Sequence, residues 1–407
     1  MTNEKQIAKA LRSAPAPVLS WGPRRPSGQT PPKPDEVWQL PGGTAWVYYG
    51  EGNQGLFRPV LMADGFNTGP STPEFLWDGL EFGGFPLLSE LRRRRRDVIL
   101  LGFDERSASL LDNAQAAIAA IHRALAERLG SERLVVGGFS MGGLVTRYAL
   151  ARMETQRIDH QTGLYWSYDT PHRGAWIPLS LQAFAHYARG YDSRFSDQIN
   201  SPAARQLLWR HMEDWQGEPG VAPERTAFLR AMEEVGGWPR IPRLLGLANG
   251  TGTGADNGIK PGQSALMGAG ELISGTDLRT QPAGGDSLAA ILRLVSEERH
   301  ELHVPSLPRL EGAPGGMLEG FGILADVLNS LAEYGLGVDV PIRSHCFVPA
   351  VSAVAVRDLD TDGDLYAVID DLDPDQSELD DFILASRNEE HTKITEELCT
   401  WLLDRLP

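Results

Sequence analysis

One serine of this chain lies between closely spaced glycines, in the stretch GFSMG at residues 138–142. A G-x-S-x-G spacing is typical of a nucleophilic serine, whose strained backbone points the hydroxyl out of the sheet that carries it. Glycine is needed two positions before and after Ser140, because side chains there would crowd the neighbouring backbone. The free N–H groups and positive dipole end of a following helix would face a developing oxyanion. An incidental serine in a tight turn is the alternative.

Apolar strands and amphipathic helices alternate around this serine. The segment before Ser140, residues 134–136, is apolar, and a helix pattern follows it. Upstream, residues 107–130 carry an apolar helical face that stops at Gly130. Further strands are predicted in FRPVLMADGFN, DVILLGFDE, GLYWSYDTPHRGA, RLLGLANG and CFVPAVSAVAV, and the tail 392–406 is helical. Fully apolar strands alternating with helices indicate a parallel sheet covered on both faces.

These segments resemble the α/β-hydrolase superfamily. GFSMGGLVTRYAL is similar to the nucleophile turn of its lipases and esterases, and YDTPHRGA resembles the TPH-x-G segment after their sixth strand. LMADGFN lies where those proteins have an oxyanion loop, with Asp64-Gly65 in place of the usual His-Gly, as in some bacterial relatives. The resemblance implies a mostly parallel twisted sheet with helices on both faces and an inserted, mainly helical cap. It also implies an oxyanion hole made of the Phe66 and Met141 N–H groups.

A serine hydroxyl needs a base, usually a histidine that a carboxylate orients. In this superfamily the chain order is serine, acid, histidine. His391 follows the last predicted strand and directly precedes the terminal helix, which is where the resemblance implies the base; a surface histidine at a helix start is the alternative. His172, in the TPHRG segment, is expected to have a structural role near the site.

The position of the acid is the least determined. Many similar lipases have an aspartate just before a strand like FVPAVSA, but here His345 takes that place. Asp380, in SELDDFILASRNEEH, resembles an acidic segment eleven positions before the histidine in similar bacterial hydrolases, and we favour it. Asp256, at the end of the predicted seventh strand, is the second candidate, and neighbours such as Asp381 or Asp371 remain open.

The chain divides on this basis into six segments. An extended, Pro-rich N-terminal arm covers 1–34, and 35–176 is the first part of the hydrolase core. A helical cap insertion, 177–238, is followed by a core strand and loop, 239–259. A second cap-like insertion, 260–340, precedes the final strand, base loop and C-terminal helix in 341–407. The insertions are expected to cover the site and to select a bulky apolar substrate.

The amino-acid composition limits the classes of partner that we expect this chain to bind. The 407 residues carry a net charge of −16, which argues against nucleic acid or an anionic membrane as the main partner. The N-terminal stretch has no apolar core of signal-peptide length, and no apolar run approaches membrane-spanning length, so we expect no stable membrane insertion and a cytoplasmic location. The two cysteines do not suggest a disulfide scaffold. Asp358, Asp360 and Asp362 have calcium-loop spacing, but Ile369 stands where a bidentate glutamate belongs, so a solvated acidic loop is favoured.

The sequence therefore predicts a serine hydrolase that cleaves a small-molecule carboxylic ester without a metal or organic cofactor. Ser140 would attack the acyl carbon, and His391 would take the proton and return it to the leaving alcohol. A thioesterase or acyltransferase would use the same machinery, and a catalytically dead binding protein is the alternative of a different class.

Overall fold

The computed structural model describes residues 2–17 and 27–407, which form one main sheet and two smaller ones. The strands are β1 Glu36–Leu40, β2 Gly43–Tyr48, β3 Pro59–Ala63, β4 Asp97–Phe103, β5 Leu134–Phe139, β6 Thr162–Tyr168, β7 Arg243–Ala248, β8 Ser264–Gly268, β9 Asp277–Arg279, β10 Ser287–Leu292, β11 His300–Val304, β12 Gly315–Leu318, β13 Val338–Asp339, β14 His345–Pro349 and β15 Asp381–Leu384. The helices are α1 Thr2–Ser13, α2 Pro73–Phe82, α3 Leu87–Arg93, α4 Leu110–Glu127, α5 Met141–Thr155, α6 Leu179–Tyr187, α7 Arg194–Ile199, α8 Pro202–Leu207, α9 Pro223–Glu234, α10 Gly320–Asn329, α11 Ala350–Ala353, α12 Asp362–Leu365 and α13 Glu396–Leu403.

The main sheet has eight strands in the order β1-β2-β4-β3-β5-β6-β7-β15. β2 runs antiparallel to its neighbours β1 and β4, and every pairing from β4 to β15 is parallel. Every residue of β3, β4 and β5 is buried, as expected for strands covered on both faces. The predicted fold class is confirmed: this is an α/β-hydrolase fold.

Each face of the sheet has its own apolar core, because side chains alternate along a strand. On one face, Leu61 and Ala63 of β3 belong to a cluster with buried residues of α4 and α5. On the other face, Val60 and Met62 belong to a cluster with buried residues of α2, α3 and α13. The helices that carry the site are thus packed on a sheet that is buried on both sides.

The first insertion, 177–238, contains the four helices α6 to α9. Its large apolar side chains, among them Phe184 and Trp209, belong to the same buried cluster as α4 and α5. The Trp176 N–H, just before the insertion, donates to Phe347 O at 2.8 Å. This insertion is therefore continuous with the core rather than a detachable lid.

The second insertion, 260–340, contains a sheet that the sequence does not predict. Besides α10 it contains a five-stranded antiparallel sheet in the order β11-β10-β9-β8-β13. Its strands are short, and register shifts interrupt the β10–β11 and β8–β9 pairings. Such irregularities interrupt the two-residue alternation by which a strand is recognised in a sequence.

The C-terminal part of the sheet also differs from its prediction. The strand predicted in CFVPAVSAVAV is β14, which pairs antiparallel with β12 in a separate two-stranded sheet. The eighth strand of the main sheet is β15, DFIL, which pairs parallel with β7. All four β15 residues are only half-buried, as suits an edge strand, so they do not form the apolar run by which an interior strand is recognised.

The N-terminal arm is partly helical rather than extended. Ile7 and Leu11 of α1 lie one helical turn apart and are both buried. Arg194 Nη2 donates to Leu11 O at 2.8 Å and to Ala14 O at 3.0 Å, which ties the arm to the first insertion. Residues 18–26 of the predicted arm lie outside the described residues. No helix within the described ranges has the length and apolar character to cross a membrane.

Candidate active site

Ser140 occupies the turn between β5 and α5 with φ 51° and ψ −121°. Positive φ is costly for a residue with a side chain and is found where surrounding structure enforces it. A Cβ at Gly138 would lie 2.4 Å from Gly142 C, and a Cβ at Gly142 would lie 2.3 Å from Ala63 O. Both glycines are therefore required by close backbone approach, as the spacing in the sequence predicts.

His391 lies in the loop between β15 and α13 and meets Ser140. Its Nε2 is 2.8 Å from Ser140 Oγ, and its Nδ1 is 2.6 Å from Asp169 Oδ2. The His391 and Asp169 side chains are only 1% and 0% exposed. Because a carboxylate only accepts hydrogen bonds, the neutral imidazole carries its proton on Nδ1, which leaves Nε2 free to accept from the serine hydroxyl.

Asp169 follows directly on β6, at φ 48°. Its Oδ1 accepts the Asn249 N–H at 2.9 Å, and its own N–H donates to Leu247 O at 2.7 Å. A Cβ on Gly316 would lie 1.9 Å from Asp169 Oδ2, so the backbone of β12 closes over the carboxylate. The carboxylate is thus fixed by the end of β7 and shielded from solvent.

Asp380, which the sequence favoured as the partner of His391, lies elsewhere. It precedes β15, where its Oδ2 accepts the Leu244 N–H at 2.7 Å and its N–H donates to Leu244 O. This is the amino end of β7 and β15, whereas His391 lies beyond their carboxyl ends. The hydrogen bond expected of Asp380 is made instead by Asp169.

The other acid candidates are also engaged away from His391. Asp256 lies on an exposed loop and pairs with Lys260 at 2.8 Å. Asp381 pairs with Arg243 and Arg405 at 2.9 and 3.0 Å. Asp371 is an exposed residue in a short 3₁₀ turn.

The sequence contains a feature that identifies Asp169 as an acid candidate: it directly follows an apolar strand, in YDTPHRGA, and precedes His391 in the chain. A carboxylate at the carboxyl end of a parallel strand lies on the edge where the serine turn also lies. The prediction looked instead for the acid near the seventh strand and the histidine.

The loop that carries His391 is held between β7 and β12. The His391 N–H donates to Met317 O at 2.7 Å, and the Met317 N–H donates to Glu389 O at 2.8 Å. Asn388 Oδ1 accepts two backbone N–H groups, from Thr251 and from Gly315, each at 3.1 Å. The base is therefore positioned in part by a strand outside the main sheet.

The two backbone N–H groups expected to form the oxyanion hole belong to Met141, directly after the serine, and to Phe66. Met141 is the first residue of α5, so its N–H has no acceptor within the helix. Phe66 lies in the loop after β3, and no acceptor for its N–H occurs among residues 2–17 and 27–407. Both residues are buried, at 7% exposure for Phe66 and 0% for Met141. Unbonded buried N–H groups are uncommon and suit an anionic ligand atom.

Two further buried histidines are held neutral. Burial, with a smaller contribution from Arg147, lowers the pKa of His172 well below its usual value. His172 Nε2 is 3.0 Å from Ser167 Oγ and its Nδ1 is 3.2 Å from Arg147 Nη1, so it links β6 to α5. Burial lowers the pKa of His345 to about 4, and its Nδ1 bonds to Cys346 O at 2.8 Å.

The three aspartates with calcium-loop spacing pair with separate arginines. Asp358 lies 3.6 Å from Arg173, Asp360 lies 3.1 Å from Arg210, and Asp362 lies 2.9 Å from Arg309. No cluster of three or more histidine, cysteine, aspartate or glutamate side chains suited to a metal ion occurs in the described part of the chain.

No protein-family model and no curated protein matches this chain. Among solved structures, it is similar to the Bacillus licheniformis lipase BlEst2 in mature form, with 13% identity, a TM-score of 0.34 and coverage of 51% of this chain and 72% of that one. Est1E from Butyrivibrio proteoclasticus is 12% identical, with a TM-score of 0.33 and coverage of 52% of this chain and 76% of that one. The thermostable carboxylesterase EstE1 from a metagenomic library is 13% identical, with a TM-score of 0.34 and coverage of 60% of this chain and 74% of that one.

Proposed function

We propose that this protein is a serine hydrolase that cleaves a carboxylic ester through an acyl-enzyme, with Ser140, His391 and Asp169 as its catalytic triad. The observation that carries the proposal is the line of hydrogen bonds from Ser140 Oγ through the His391 ring to Asp169, at 2.8 and 2.6 Å. The serine turn and the buried acid both have positive φ, a strain that clusters at active sites.

The chemistry follows from the roles that these contacts allow. Ser140 Oγ attacks the acyl carbon while His391 Nε2 takes its proton. Asp169 holds the proton on Nδ1 and stabilises the imidazolium that forms. His391 then protonates the leaving alcohol, and a water molecule, deprotonated by the same Nε2, releases the acid from the acyl-enzyme.

The Phe66 and Met141 N–H groups are proposed to form the oxyanion hole. The Met141 N–H belongs to the first turn of α5, where the helix dipole adds to the stabilisation of negative charge. One donor of this kind typically contributes about 3–4 kcal/mol to lowering the barrier. This assignment needs no metal ion for the charge that develops on the carbonyl oxygen.

The substrate is proposed to be apolar around the scissile bond. The Phe347 ring packs edge-on against His391, with ring centroids 4.8 Å apart, and Phe66 belongs to the same buried apolar cluster as Met141. Thioester cleavage and acyl transfer would use the same groups and stay alternatives. A dead binding protein is disfavoured because the three side chains are in hydrogen-bond contact. A cytoplasmic location stays a prediction.

The test is turnover of p-nitrophenyl esters of increasing acyl length by the wild-type protein and Ser140→Ala. Alanine fits the same turn, so the variant should fold normally and lose essentially all turnover. Ser330→Ala, at an exposed serine after α10, is the matched control and should keep wild-type rates. Turnover that persists in purified Ser140→Ala would overturn the proposal, and acyl-thioesters tested in parallel separate the alternative.

A further inference from the structure

A buried carboxylate stands at the start of the loop that carries Phe66. Asp64 directly follows β3 and has no exposed surface. Its Oδ1 accepts the Gly65 N–H at 2.7 Å, and its Oδ2 accepts the Ser71 hydroxyl at 2.5 Å. The bond from Ser71 joins the last residue of the segment 64–71 to its first and closes it into a compact loop, while the bond from Gly65 fixes the carboxylate at the start of that loop.

The same loop is fastened to the end of β4. Ser71 donates its N–H to Phe103 O and accepts the Phe103 N–H on Oγ, both at 2.9 Å. Arg106 donates to Thr68 O at 3.0 Å and to Gly69 O at 3.2 Å. The loop is therefore fixed at its first and last residues and again at Thr68 and Gly69. Phe66, the proposed oxyanion donor, lies between these fixed positions.

The loop also abuts the serine turn. A Cβ added to Gly142, in the first turn of α5, would lie 2.3 Å from Ala63 O and 2.5 Å from Asp64 O. The backbone at Asp64 thus touches the helix turn that supplies the Met141 N–H. A shift of Asp64 changes the separation of the two proposed donors, Phe66 and Met141.

The charge of Asp64 is compensated locally. Arg106 Nη1 lies 3.7 Å from Asp64 Oδ2, and the two side chains are 9% and 0% exposed. Burial lowers the pKa of Arg106, and Asp64 acts in the opposite direction. The arginine offsets the repulsion that an isolated carboxylate would exert on a nearby oxyanion.

We propose that Asp64 is a positioning residue of the oxyanion hole: its carboxylate closes the 64–71 loop and so holds the Phe66 N–H toward the reacting carbonyl. An aspartate is suited to this position because Ser71 Oγ already accepts the Phe103 N–H, and its hydrogen then needs an acceptor. A carboxylate accepts from Gly65 and Ser71 at once, whereas an asparagine has one acceptor oxygen. The inference rests on the proposed ester hydrolysis.

The test compares Asp64→Asn with the wild-type protein in ester turnover and in inhibition by a trifluoromethyl ketone, whose adduct with the serine carries an oxyanion. We expect kcat to fall about 10- to 100-fold with KM within about twofold, because the donor acts mainly in the transition state. Affinity for the ketone should fall by a similar factor. A purely structural role would lower the melting temperature without moving kcat and ketone affinity together.

Two further variants complete the design. Asp104→Asn, at an exposed carboxylate just after β4, is the matched control and should behave as wild type. Ser71→Ala removes both hydrogen bonds of the Ser71 hydroxyl, to Asp64 and from the Phe103 N–H, while leaving the Asp64–Arg106 pair. It should lower kcat and ketone affinity about 5- to 10-fold. It decides the question if Asp64→Asn does not fold.

The proposed role of Asp64 would be overturned if folded Asp64→Asn kept the kcat and ketone affinity of the wild type. If Asp64→Asn does not fold, the same result in Ser71→Ala would overturn it. A failure of the proposed function is recognised separately, because the wild-type protein itself would then neither turn over esters nor bind the ketone.

Discussion

Replacing Asp169 by asparagine separates the acid's role from its packing. The amide oxygen can still accept the Asn249 N–H, which Asp169 Oδ1 now accepts at 2.9 Å. The amide NH₂ then faces His391 Nδ1, which the carboxylate contacts at 2.6 Å, and forces the imidazole proton onto Nε2. Since Nε2 must accept from Ser140 Oγ, the base is blocked in the resting enzyme.

The expected loss is about 10⁴-fold in kcat, the size found when the aspartate of such a triad is made an amide. This corresponds to about 5.5 kcal/mol of barrier. KM should change little, and the melting temperature should stay near wild type. The assay is steady-state hydrolysis of a short p-nitrophenyl ester by the purified variant.

Asp380→Asn is the matched control, because Asp380 accepts the Leu244 N–H at 2.7 Å, a bond that an amide oxygen can also accept. It should keep wild-type turnover. The opposite result, an inactive Asp380→Asn beside a fully active Asp169→Asn, would refute the assignment of the acid.

Two further predictions concern buried contacts. Gly316→Ala should lower kcat about 100-fold, because its Cβ would lie 1.9 Å from Asp169 Oδ2 and displace the acid; Gly220→Ala, with no atom within 4 Å of the added Cβ, should stay active. Equal turnover of the two variants would contradict this. Burial raises the pKa of Glu311 to about 7. Between about pH 4.5 and 7 the unfolded chain therefore loses this proton while the folded chain keeps it, so up to about 3 kcal/mol of the free energy of unfolding is lost as the pH rises. Urea unfolding at pH 5.5 and 8 should show Glu311→Gln gaining stability relative to wild type at the higher pH, and a constant difference would refute it.

The parts of the site that depend on local backbone geometry could be read from the sequence. The glycines around Ser140 are required by contacts within the turn and with the adjacent β3, so their spacing marks the turn directly. The structure brings Ser140 and His391, both selected from the sequence, into contact at 2.8 Å. The buried strands β3 to β5 are continuous apolar runs, which is why the fold class was also predictable.

The acid could not be located in the same way, because its position depends on contacts between distant segments. Whether Asp380 or Asp169 reaches His391 depends on which strand edge each occupies. Asp380 could reach the carboxyl edge only if DFIL were a loop rather than the strand β15, and this half-buried edge strand has a weak sequence pattern. Asp169 is covered by Gly316 of β12, a strand from an insertion whose sheet the sequence did not predict.

The central claim is that Ser140 is a nucleophile activated by His391 and Asp169. The most direct measurement is labelling with a fluorophosphonate, which requires an activated serine and no knowledge of the substrate. The adduct should map to the peptide containing Ser140 in the wild-type protein, disappear in Ser140→Ala, and form far more slowly in Asp169→Asn than in Asp380→Asn. An unlabelled wild-type protein, or a label on a different serine, would contradict the account.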